Sequence, residues 1–179
     1  MINISSLKNK NNKRVQTKKV RTTAAQLRLQ KDLADLDELP STMNFITPNP
    51  TDFFKHELTI KPDEGYYKDG SFHFTFTFNT NYPHEPPKIL CTQKIYHPNI
   101  DLDGNICLNI LREDWKPVLN INSILVGLQF LFLEPNPEDP LNKEAAKVLL
   151  NNKRAFKNNV LISMKGGVIE GVKYDNVMQ

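Results

Sequence analysis

Four phenylalanines spaced two apart, Phe72, Phe74, Phe76 and Phe78, alternate with Ser71, His73, Thr75 and Thr77. Successive side chains of an extended chain point to opposite faces, so this run presents one aromatic face and one polar face. That is the pattern of a half-buried antiparallel strand. Upstream, Phe54, Leu58 and Ile60 predict a strand over residues 54–61, closed by a turn around Pro62, Asp63, Glu64 and Gly65. Downstream, residues 88–92 read as a further strand after Pro83, Pro86 and Pro87, since proline is tolerated ahead of a strand but not in its middle.

Helical patterns flank these strands. Thr23 and Gln26 form a capping box, and Leu29, Leu33 and Leu36 recur at helical spacing, predicting a helix over residues 24–37 that Pro40 ends. Asn120 caps a second helix carrying Ile121, Ile124, Leu125 and Leu128. Asn142 caps a third over residues 143–151, and a fourth runs over residues 153–164 before Gly166 and Gly167. The order describes an α+β domain with helices packed on one side of a meander. There is no internal repeat.

Charge divides the chain. Residues 1–31 hold nine Lys or Arg and no Asp or Glu, whereas residues 32–179 hold fourteen basic and twenty acidic groups. A basic, Asn-rich leader cannot bury enough surface to offset its ordering entropy, so residues 1–23 read as a disordered extension and residues 24–179 as one domain. The leader lacks interleaved aromatics, which argues against nucleic acid. Two cysteines are too few for a disulfide framework, and no apolar signal segment precedes them. The most apolar stretch, residues 121–133, is broken by Asn122, Ser123 and Gln129 and is shorter than the ~20 residues a membrane span needs. No phosphate-binding loop or metal-ligand cluster is present, so neither cofactor nor metal is expected.

From residue 94 to 118 periodicity disappears, and a long irregular segment inside a domain is usually functional. It contains Tyr96, His97, Pro98, Asn99 and Ile100, then Asp103, Gly104, Asn105, Ile106 and Cys107. Cys91, inside an apparent strand, reads as a small core hydrophobe. Cys107, outside any periodic segment, suits an exposed loop thiol able to take and release an acyl group.

These residues resemble the active-site signature of ubiquitin-conjugating enzymes: a His-Pro-Asn tripeptide, a glycine, and a cysteine eight positions after the Asn. Tyr82-Pro83, Pro86-Pro87, Trp115, Pro117, Pro135-Asn136-Pro137 and Asp139-Pro140-Leu141 match at their expected places. The resemblance covers residues 24–177. It implies the ubiquitin-conjugating fold, with an N-terminal helix, a four-stranded antiparallel meander, an active-site loop and C-terminal helices. It implies that Cys107 carries a modifier as a thioester, and that Asn99 stabilises the oxyanion, directly or by ordering the loop. It further implies that Asp139 orients or deprotonates the incoming lysine and that His97 and Pro98 hold the loop together. From the residues alone, His97 could equally pair with the cysteine, Asn99 form a turn, and Asp139 lead a helix. Trp115, Pro117 and Val118, with His84, match the ligase-binding loops, although His84 departs from the bulky apolar residue of many relatives.

Within the family the blocks LNILREDWKPVLN, residues 108–120, and LFLEPNPEDPLNKEAA, residues 131–146, are most similar to the neddylation branch. The implied partners are a ubiquitin-like modifier, a heterodimeric activating enzyme that uses ATP, a RING-type ligase with a co-ligase, and a cullin substrate. Met1, Ile2, Ile4 and Leu7 would dock the leader on the activating enzyme and co-ligase, with Ser5 departing from the apolar residue expected there. A monomer of cytoplasm and nucleus is expected. The competing readings are a conjugating enzyme for ubiquitin itself, a non-catalytic binding module of the same fold, and a nucleic-acid binder led by the tail.

Overall fold

A computed structural model describes residues 22–36 and 39–178. The leader anchors Met1, Ile2, Ile4 and Leu7 lie outside the described residues.

Helix α1 (Ala24–Ala34) begins at Thr23, whose side chain accepts from the Gln26 N–H while the Gln26 side chain accepts from the Thr23 N–H. It ends before the predicted residue 37. Asp35 caps it, and the next bond, from Leu36 N–H to the Leu33 carbonyl, is already the tighter i to i+3 kind. Strands β1 (Met43–Ile46), β2 (Lys55–Ile60), β3 (Phe72–Thr77) and β4 (Lys88–Cys91) form one antiparallel sheet in chain order. Strand β1 carries too short a pattern to be located from sequence: its four residues alternate Met43 and Phe45 inward with exposed Asn44 and Ile46 only twice. It pairs Met43 with Ile60 and Phe45 with Leu58.

Register explains the aromatic face. Phe74 stands between Leu58 and Cys91, and Phe76 between His56 and Ile89, so these side chains share one side of the sheet. Helix α2 (Ile121–Leu133) covers that side, with the Phe132 ring 4.6 Å from Phe72 and 5.9 Å from Phe74. Fully burying each such ring contributes roughly 1.5–3 kcal/mol. The opposite face is not uniformly polar and exposed: Ser71 is buried, because its N–H donates to the Val177 carbonyl as the C-terminal segment crosses it. On the aromatic face His56, paired with Phe76, is a buried polar residue, stacked on Phe45 and bonded to Thr47 Oγ1 and the Phe53 carbonyl.

Helices α3 (Lys143–Asn151) and α4 (Lys153–Met164) follow, and the single residue Asn152 both ends one and caps the other. Asn120, Asn142 and Asn152 each accept a backbone N–H at the start of their helices, a contact worth about 1 kcal/mol apiece. A short hairpin, β5 (Val168–Ile169) and β6 (Val172–Lys173), closes the fold; two-residue strands carry too little pattern to be read from sequence. Among the described residues no helix is long and apolar enough to cross a membrane.

Candidate active site

The irregular segment is a built structure. His97 is fully buried and stacks on the Tyr67 ring at 4.9 Å. Its Nδ1 accepts from the Asn99 N–H at 2.9 Å, so the proton resides on Nε2, which donates to the Leu131 carbonyl at 3.0 Å. Burial pulls its pKa down to about 4, leaving a neutral ring. Both nitrogens are committed within the loop and to α2, and neither faces a cysteine. The Pro98 carbonyl accepts from the N–H groups of Leu141 and Asn142, each at 2.9 Å, tying the loop to the start of α3.

Asn99 is buried and joins three segments. Its carbonyl accepts from the Cys107 N–H at 2.8 Å. Its side-chain oxygen accepts from the Asn136 N–H at 2.8 Å. Its amide nitrogen donates to the Asn136 carbonyl at 2.7 Å and the Asp139 carbonyl at 3.3 Å. The Cys107 backbone and the residue 136–139 turn are thereby fixed to one residue.

A tight turn delivers Cys107. The Asp101 carboxylate accepts from the N–H groups of Asp103 and Asn105, and Gly104 follows at φ +83°. A Cβ on Gly104 would lie 2.0 Å from the Cys91 carbonyl oxygen, a contact only glycine avoids. Cys107 itself is recessed, at 7% exposure, rather than displayed on an open loop as its sequence context predicted. It lines a groove of about 460 Å³ between Leu108, Ile110, Phe130, Leu131, Asn136 and Asp139. The recess follows from the loops that flank it, which sequence periodicity does not report.

Two polar atoms meet at the sulfur and bond to each other. The Cys107 thiol donates to Asp139 Oδ2 at 3.0 Å, Arg112 Nη2 lies 2.9 Å from the same sulfur, and Arg112 Nη2 donates to Asp139 Oδ2 at 3.0 Å. Burial, and then the hydrogen bond to Asp139, push the thiol up to about 11, while Arg112 acts against them. The bonds from Cys107 and then Arg112 hold the Asp139 carboxylate below its usual range. Asp139 stands ahead of the Asn142 cap, so it is not a first-turn acid; Glu144 is. Arg112 is the residue that sequence reasoning missed. The signal was an arginine five positions past the candidate nucleophile, and only the Asn109–Leu111 3-10 turn folds it back. Cys91, by contrast, lies buried in β4 with its thiol donating to the Gln93 carbonyl at 3.4 Å.

The predicted ligase-facing residues gather elsewhere. Trp115 donates from Nε1 to the Pro83 carbonyl at 2.8 Å, joining its loop to the one bearing exposed His84. Arg28 of α1 donates to the carbonyls of Pro117 and Leu119, both at 2.7 Å, and pairs with buried Asp32, which also accepts from the Tyr82 hydroxyl. Val118 is 81% exposed at the tip. Among the described residues no group of three or more His, Cys, Asp or Glu could hold a metal ion.

The profile described as "Ubiquitin-conjugating enzyme" matches residues 28–164. The Yarrowia lipolytica NEDD8-conjugating enzyme UBC12 is 55% identical over 178 residues, covering 99% of each chain. The Drosophila melanogaster Nedd8-conjugating enzyme UbcE2M is 63% identical over 149 residues, covering 83% of this chain and 82% of that one. Among solved structures, S. cerevisiae Ubc12 superposes with a TM-score of 0.84 at 53% identity, covering 89% of each chain.

Proposed function

This chain belongs to the ubiquitin-conjugating enzyme family, and from that premise we propose that it carries a NEDD8-type modifier as a thioester on Cys107 and passes it to lysine. The observation that supports Cys107 as carrier is its place in the groove, with Asp139 at 3.0 Å and a backbone held by Asn99. The long, high-identity matches to relatives named for NEDD8 conjugation support the choice of modifier.

In charging, the Cys107 thiolate attacks the modifier's terminal thioester on the heterodimeric activating enzyme. A carbon–sulfur bond forms at Cys107 and the one to the activating enzyme breaks; ATP is consumed upstream, and this chain needs no cofactor. The groove beside the sulfur accommodates the modifier's extended tail.

In discharge, a lysine amine attacks the same carbonyl, a carbon–nitrogen bond forms, and the sulfur leaves as thiolate. Acylation removes the S–H that occupies Asp139 Oδ2 in the free enzyme. The carboxylate therefore becomes available to orient the amine and take its proton once the modifier is loaded. Asn99 has both amide hydrogens committed to backbone carbonyls, which favours loop ordering over direct oxyanion contact. His84, Trp115, Pro117 and Val118 would meet a RING-type ligase, Met1, Ile2, Ile4 and Leu7 the activating enzyme and co-ligase, and the acceptor would be a cullin. The site of action would be cytoplasm and nucleus.

Incubating the chain with ATP and either the NEDD8-type or the ubiquitin pair of modifier and activating enzyme tests the reading. The NEDD8-type pair should give a reductant-labile adduct. Loading by ubiquitin alone would reassign the enzyme, and loading by neither would make the chain a binding module.

A further inference from the structure

One contact at the site belongs to none of the residues assigned above. Arg112 Nη2 lies 2.9 Å from the Cys107 sulfur. The Arg112 backbone is fixed on both sides, its N–H donating to the Asn109 carbonyl and its own carbonyl accepting from the Trp115 N–H. The groups that face the sulfur are Asp139 and Arg112, with Glu113 adding negative charge nearby and pairing loosely with Arg112 at 3.7 Å. Arg112 is the positive one of the three.

We propose that Arg112 is the electrostatic partner of the reacting sulfur, stabilising the Cys107 thiolate before charging and the departing thiolate when the amine displaces it. The inference rests on Cys107 being the carrier. A recessed sulfur next to a carboxylate resists ionisation, since desolvation and a like charge both disfavour the anion. A guanidinium within hydrogen-bond distance opposes both effects and remains charged at every working pH. The same group bonds to Asp139 Oδ2 at 3.0 Å, so it also prevents the carboxylate and the thiolate from meeting as two uncompensated anions. When the sulfur is acylated it has no charge to stabilise, and Arg112 retains Asp139 alone. When the carbon–sulfur bond breaks, the electron pair returns to a sulfur already facing the guanidinium.

The test is the pH profile of Cys107 alkylation by iodoacetamide, read at that residue by mass spectrometry, with no modifier present. Arg112→Gln should react about tenfold more slowly near pH 8, its profile displaced to higher pH by about one pH unit. Arg112→Lys should restore most of the rate, because it keeps the charge. Asp139→Asn should displace the profile the opposite way. Arg112 is half exposed, so folding should persist; should the Gln variant melt early, the Lys variant paired with Asp139→Asn still reads the charge effect. Superimposable profiles for wild type and Arg112→Gln, or an Asp139→Asn profile displaced the same way as Arg112→Gln, would overturn the proposal. Failure of the carrier assignment would look different: Cys107→Ser would still form a reductant-labile adduct with the modifier.

Discussion

Asn99 and Asn136, thirty-seven residues apart, are locked together by two hydrogen bonds, one in each direction between the Asn99 side-chain amide and the Asn136 backbone. Through this pair the loop bearing Asp139 is positioned against Cys107.

Replacing Asn99 by Ala leaves the Asn136 backbone groups unpaired and frees the turn that carries Asp139. Single-turnover discharge of preloaded enzyme to lysine should fall by about tenfold or more, with charging less affected. Stability should fall by about 1–3 kcal/mol as well. Asn99→Asp, which sets a buried carboxylate oxygen against the Asn136 and Asp139 carbonyls, should lose at least as much stability as Asn99→Ala. Discharge at the wild-type rate in both variants would exclude Asn99 from the mechanism.

His97 gives a pH signature of the same loop. Its folded pKa, about 4, lies below the unfolded 6.5, so the unfolded chain binds more protons as pH falls through 6.5. The stabilisation is complete above 6.5 and is lost between 6.5 and about 4, amounting to about 2 kcal/mol between about pH 7.5 and pH 5. His56, lowered by burial, adds in the same direction. Urea unfolding at the two pH values should show a smaller difference in His97→Asn than in wild type. An equal difference in both would mean that His97 is not held neutral.

The parts of this architecture that repeat were legible in the chain. The Phe72–Phe78 alternation located β3, and Thr23, Asn120 and Asn142 marked three helix starts. Strand β1 escaped because Met43–Ile46 is too short to show a period. The site was legible as a motif and not as a geometry. His97, Asn99 and Cys107 stood out in the chain, but the Asn99–Asn136 bonds, the recess around the sulfur and the approach of Arg112 depend on loops crossing in space.

Val118→Asp should separate ligase binding from folding. The side chain is 81% exposed and touches no core, so stability should change by no more than about 0.5 kcal/mol. Ligase-stimulated discharge should fall severalfold while unstimulated discharge is unchanged. Equal stimulation in variant and wild type would remove this tip from the ligase surface.

Deleting residues 1–21 should raise the concentration of chain needed for charging without altering intrinsic discharge. All the contacts described around Cys107 come from residues 67–142, whereas a tether acts by supplying local concentration. Replacing Ile2, Ile4 and Leu7 by Ala should reproduce most of the effect. Identical concentration dependence in full-length and shortened chains would reject a docking role.

Cys107→Ser, charged with ATP, activating enzyme and the NEDD8-type modifier and resolved with and without thiol reductant, reads the carrier directly. The hydroxyl is a weaker nucleophile and the oxyester more stable, so the expected result is either no adduct or one that survives reductant. Cys91→Ser, at a core position, should still form a reductant-labile adduct. A reductant-labile adduct on the Cys107→Ser chain would contradict the assignment of Cys107 as the residue that carries the modifier.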